Sequence, residues 1–165
     1  MFLGTALVLS FLEAVLPVSF LPGFKPGLAN IAVLACTYAV GLADGGTVAL
    51  LRCLITALLF GSGTSMLFSF TGMLSVLAVL VLLRFLHPVL KTRLSFIGIS
   101  ILTALAHNLG QLACAALLYG WGLEILTTYG GILLTAGVFC GMLTGFLTNL
   151  LFSRLWDHRK HLGRI

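Results

Sequence analysis

Three ionisable side chains sit where the chain is otherwise apolar: Glu13 in "FLEAVL", Arg52 in "LLRCLITALLF" and His107 in "ILTALAHNLGQLACAALL". At 100° per residue, Ser100, Thr103, His107, Gln111 and Cys114 fall on one stripe roughly 80° wide. Asn108 lies beside that stripe, and Gly110 thins the neighbouring surface. An imidazole, two amides and two hydroxyls offer donors and acceptors that hydrocarbon cannot satisfy. They must meet each other, another helix or a ligand. The chemistry available is hydrogen bonding and charge recognition rather than bond making. Glu13 has two candidate partners, Arg52 and Lys25. One reading is a fold-stabilising ion pair; the other is that these groups line a ligand cavity. The density of polar groups around His107 favours the cavity.

Catalytic signatures are missing. There is no G-x-x-x-x-G-K-[ST] phosphate loop, no Ser-His-Asp set and no zinc-ligand spacing. The aspartates are Asp44 and Asp157 alone, and Mg²⁺-dependent diphosphate chemistry needs clustered carboxylates. Cys36, Cys53, Cys114 and Cys140 are isolated in apolar runs and read as small packing residues. No metal, cofactor or enzymatic activity of the chain alone is expected.

The elements that must position these groups follow from composition. Of 165 residues, 60% are hydrophobic and 8% charged, against about 25% charged in soluble domains. The bilayer is the solvent for such a chain. Ionisable groups within a span cost about 2.5–3.5 kcal/mol each on insertion scales, which is why the three above need partners or a wet cavity. The first twenty residues lack a basic start and a small-x-small cleavage site, and carry Glu13, so they read as a retained helix. Apolar runs between turn signals predict an all-α polytopic membrane protein with six transmembrane helices in one bundle. The spans are Met1–Phe20, Leu28–Ala43, Thr47–Gly61, Met66–Leu86, Leu94–Tyr119 and Gly131–Leu155. The second and third are short for crossing. "DGG", "GSGTS", "HPVLKTR" and "YGWGLEILTTYGG" read as breakers. Residues 1–155 form the membrane domain, and 156–165 a basic tail.

The net charge of +5 is not gathered on one face, so no nucleic-acid partner is expected. Arg154, Arg159, Lys160 and Arg164 follow the last span, and Arg84, Lys91 and Arg93 flank the loop between spans four and five. The opposite-side loops hold only Lys25. This asymmetry places both termini in the cytoplasm, with membrane lipid around the bundle. It also puts "PVSFLPGFKPGLAN" on the outer side. There Pro22-Gly23 and Pro26-Gly27 stiffen the loop, and Pro26 suits a first helical position. The N–H groups from Gly27 to Ala29 beside Lys25 would make an anion site; the alternative is an ordinary rigid loop. Gly137, Gly141 and Gly145 repeat every fourth residue, as do Ala6, Ser10 and Ala14. Such stripes mark helix contacts within the bundle or with a partner subunit.

The segments "LEAVLPVSFLPGFKPGLANIAVL", "LLRCLITALLFG", "FSFTGMLSV" and "GISILTALAHNLGQLACA" together resemble one bacterial family, known both as heptaprenyl diphosphate synthase component I and as the Gx transporter family. The family pattern is matched at Glu13, Pro17, Gly23, Lys25, Gly27, Leu28, Ala29, Asn30, Arg52, Gly61, Gly72, Ser75, His107, Asn108 and Gln111. Pro26 departs from it, standing where the family tends to an aliphatic residue. In size and layout the family is similar to the S-components of energy-coupling-factor transporters, a fold-level analogy. The resemblance implies a bacterial cytoplasmic-membrane subunit that binds a small anionic or amphipathic metabolite from outside. Energy would come from ATPase and coupling-protein partners. Glu13, Lys25, Asn30, Arg52, His107, Asn108 and Gln111 would line the site. The alternative is the non-catalytic membrane subunit of a polyprenyl diphosphate synthase, and the first family name points to a prenyl or quinone precursor as ligand.

Overall fold

The computed structural model describes residues 1–15, 27–60, 63–90, 95–120 and 122–162, and these are helical with no strand among them. The helices are α1 (Phe2–Val15), α2 (Ala29–Ala39), α3 (Leu42–Phe60), α4 (Gly63–Leu90), α5 (Phe96–Tyr119) and α6 (Leu123–Leu162). Lys25 and the rest of the Pro17–Pro26 segment lie outside the described residues.

Four helices, α3 to α6, are long and apolar enough to cross a membrane. Of the six expected spans, the other two are shorter among the described residues: α1 has 14 residues, up to the edge of the described segment at Val15, and α2 has 11. At 1.5 Å per residue α2 covers about 16 Å, half of a hydrocarbon core about 30 Å thick. Its apolar run continues into Val40–Ala43, but the chain turns at Val40–Gly41 and α3 starts at Leu42. "DGG" is therefore the first turn of α3 rather than a break. Asp44 suits the positive end of the helix. Gly45 lets α2 approach closely, for a Cβ there would lie 2.0 Å from Thr37 Oγ1.

Two other expected breaks do separate helices, but part of each stretch is helical. α4 runs through Pro88 to Leu90, although Pro88 has no N–H to donate to the carbonyl four residues before it. α6 begins eight residues before Gly131, with the Thr127 and Thr128 hydroxyls donating to the Glu124 carbonyl at 3.0 and 2.7 Å. At its other end α6 runs on to Leu162, so most of the expected tail continues the helix. α5 is capped as its sequence allows: Ser95 Oγ accepts from the Gly98 N–H at 3.1 Å, and Gly120 turns the chain with φ 62°.

α2 is the centre of the bundle. Ala29 and every residue from Ile31 to Cys36 are buried, the pattern of a helix apolar all round. Val33 packs with Ala49 and Cys53 of α3 and Met73 of α4. Leu34 packs with Val76 and Leu80 of α4 and Ile99 of α5. Tyr38 meets Phe96 edge-on, ring centroids 4.8 Å apart, so the end of α2 lies beside the start of α5. A helix that short must then begin near the middle of α5. Outside, Leu58, Phe85, Leu117 and Phe139 are among the most exposed apolar side chains, as a lipid-facing surface requires.

Glycines set the helix spacing. A Cβ at Gly141 would lie 2.7 Å from Ile101 Cα, and one at Gly145 2.7 Å from Ile97 Cα. The glycine stripe of α6 thus faces α5. In the other stripe Ala6 is fully buried, Ser10 partly, and Ala14 is exposed. Between α4 and α5, a Cβ at Gly110 would lie 2.7 Å from the Thr71 carbonyl oxygen.

Candidate functional site

A cleft opens in the bundle beside the start of α2. It is walled by Gly27 and Asn30, by Ser100, Thr103, Ala104, His107 and Asn108 of α5, and by Gly137, Cys140 and Thr144 of α6. Its volume is about 10 Å³, room for roughly one water-sized group. Gly27 turns into α2 with φ 77°, a conformation that favours glycine.

Several polar wall residues are held by hydrogen bonds within α5 and α6 or between them. Ser100 Oγ and Thr144 Oγ1 are 2.8 Å apart, joining α5 to α6. Thr144 also donates to the Cys140 carbonyl, and Thr103 to the Ile99 carbonyl. Asn108 Nδ2 donates to the Leu133 carbonyl at 2.9 Å, and its amide fills the space that a Cβ at Gly137 would occupy. His107 turns the other way, onto Gly72 of α4, where a Cβ would lie 2.5 Å from its Cε1. Gly72→Ala is therefore expected to displace the imidazole at a cost of about 1–3 kcal/mol. The ¹⁵N resonances of the ring check this: signals unchanged from the parent protein would refute the placement.

Gln111 lies one turn further along the same stripe. It is 3% exposed, and among the described residues neither its Oε1 nor its Nε2 has a hydrogen-bond partner. A buried amide left this way costs about 1–3 kcal/mol.

The charged pair sits at the start of α2. The Leu28 N–H donates to Glu13 Oε1, so a carboxylate from α1 holds the positive end of the short helix. Arg52 of α3 is 8% exposed, and the charge of Glu13 bears on it and on Cys140. The anion site expected at Gly27–Ala29 thus has a resident anion, at Leu28.

Of the residues singled out from sequence, Asn30, His107 and Asn108 share the cleft, Gln111 adjoins it along α5, and Glu13 with Arg52 flanks the start of α2. Lys25 lies outside the described residues. Thr144 went unnoticed and Cys140 was read as a packing residue because both lie among the glycines of α6, a face that reads as packing. Their spacing of four on the buried face was the available signal. Among the described residues no three His, Cys, Asp or Glu gather where they could hold a metal ion.

No curated protein and no solved structure matches the chain. The S-component analogy therefore gains no support from a solved fold. A family match does exist: residues 2–151, which include every described residue of the cleft and of the Glu13–Arg52 region, match heptaprenyl diphosphate synthase component I. The chain belongs to the heptaprenyl diphosphate synthase component I family.

Proposed function

We propose that this chain is the membrane-embedded, non-catalytic component of a heptaprenyl diphosphate synthase, holding a soluble catalytic chain at the bilayer where its long-chain product is needed. The family match over residues 2–151 carries this reading. Four helices of membrane-crossing length support the anchoring half of it. With Asp44 and Asp157 as its only aspartates, the chain leaves the Mg²⁺-binding carboxylates to the partner. On this reading it is not itself an enzyme. The excess of Lys and Arg after α4 and along the end of α6 argues for a bacterial cytoplasmic membrane with both termini inside, the side on which a soluble partner would dock.

The transport reading has one observation in its favour, a polar cleft inside an apolar bundle. A single experiment separates the two. The tagged chain is purified from its native membrane in mild detergent and its co-purifying chains are identified. An aspartate-rich prenyl synthase whose long-chain product disappears when this chain is deleted is the expected result. Two ATPases and a coupling membrane protein in its place would refute the synthase reading.

A further inference from the structure

We infer that the polar stripe of α5 takes a single uncharged hydroxyl group of an amphipathic long-chain alcohol, seated between the cleft and Gln111. This deepens the synthase reading and rests on it for the choice of chain, but the argument for a neutral head group rests on the site itself.

Charge is the first constraint. The positive end of α2 is already held by Glu13, whose hydrogen bond to the Leu28 N–H leaves that position to a protein carboxylate. The same charge bears on Cys140 in the cleft wall. Glu13 and Arg52 bear on each other, so this region offers an incoming diphosphate no uncompensated positive charge, where solvent screening is weak. The side chains facing the cleft are amide, hydroxyl, imidazole and thiol groups, suited to hydrogen bonding with a neutral partner.

Size is the second constraint. A cleft of about 10 Å³ holds one water-sized group, which fits a hydroxyl and is far too small for a diphosphate. Gln111 supplies the third. Its buried amide presents an acceptor oxygen and donor N–H groups with no partner among the described residues. A hydroxyl both donates and accepts, and so complements it. The apolar chain of the ligand would then run between helices whose surroundings are already hydrocarbon.

The test uses the full chain in nanodiscs and measures equilibrium binding of radiolabelled farnesol, with hexadecanol and farnesyl diphosphate as comparison probes. Farnesol is expected to bind saturably at one site, and Gln111→Met to weaken it by about tenfold, one lost hydrogen-bonding group. Gln111→Met keeps the volume of the side chain. It is expected to melt no lower than the parent when ligand-free, since it removes an unpartnered amide. Gln111→Leu serves as a second variant if Gln111→Met fails to fold. Hexadecanol binding with the same Gln111 dependence, but no farnesol binding, would support the hydroxyl site while counting against a prenyl chain. Farnesyl diphosphate binding about tenfold tighter than farnesol, or alcohol binding indifferent to both variants, would overturn the inference. In the second case Gln111 would hold a trapped water only.

Discussion

Gly141→Leu is expected to force α5 and α6 apart and to cost about 3 kcal/mol or more, the upper end of what overpacking usually costs. The added Cβ would lie 2.7 Å from Ile101 Cα and 3.2 Å from the Ile101 nitrogen. Both are backbone atoms of a helix that cannot yield locally, so only separation of the two helices relieves the clash. The interface also carries the Ser100–Thr144 contact and the Asn108 bond to Leu133, which separation would break together. Gly137→Ala makes an instructive contrast. Its Cβ would meet the end of the Asn108 amide at 2.4 Å, a side chain that can swing away, so the loss should approach that of one buried hydrogen bond, about 1 kcal/mol. The lipid-facing Leu143→Ala should be close to neutral, since Leu143 is exposed. Buried Cys36, Cys53 and Cys114 provide the assay, because a thiol-reactive dye reports their exposure on heating in detergent. Equal melting temperatures for Gly141→Leu and Leu143→Ala would sink this account of the interface.

That interface was legible in the sequence because a period of four survives any choice of helix boundary. The polar stripe of α5 was legible for the same reason: Ser100, Thr103, His107 and Gln111 share a face in every register, and all four are buried. Boundaries were less so. Hydropathy does not distinguish a helix from an apolar turn, so Val40–Ala43 extended α2 on paper while the chain turns at Gly41. Glycine is ambiguous in the same way. In "DGG" it signals a break, yet Gly45 lies within α3 and is glycine because Thr37 packs where its side chain would be.

The half-length of α2 also explains what was not legible in the site. A full-length second span would begin at the membrane surface, with an empty positive end facing the outer loop. This short one begins at the fully buried Ala29, so its first N–H groups need partners within the protein. The Glu13 carboxylate meets that need, so a residue read as either ligand group or ion-pair partner has a structural role at Leu28. The cleft lies beside this buried start, at His107 and Asn30, and periodicity records the polar stripe but not the cleft.

Glu13→Ala should be the most damaging single change at this centre, costing about 3–5 kcal/mol. It removes the acceptor of the Leu28 N–H and leaves the buried Arg52 without the charge that bears on it. Glu13→Gln keeps an acceptor for Leu28 while losing the charge, and should fall between the parent and Glu13→Ala. The decisive variant is the double replacement Glu13→Gln with Arg52→Met. A buried pair replaced on both sides is often neutral, whereas a pair broken on one side leaves an uncompensated charge. The double variant is therefore expected to melt above Glu13→Gln alone, in the same thiol-exposure assay. If Arg52→Met brought no recovery, the two charges would not be coupled, and Arg52 would be free to meet an anionic ligand. That outcome would also remove the electrostatic argument for an uncharged occupant of the cleft, so the stability of one ion pair and the chemistry of the ligand are tested together.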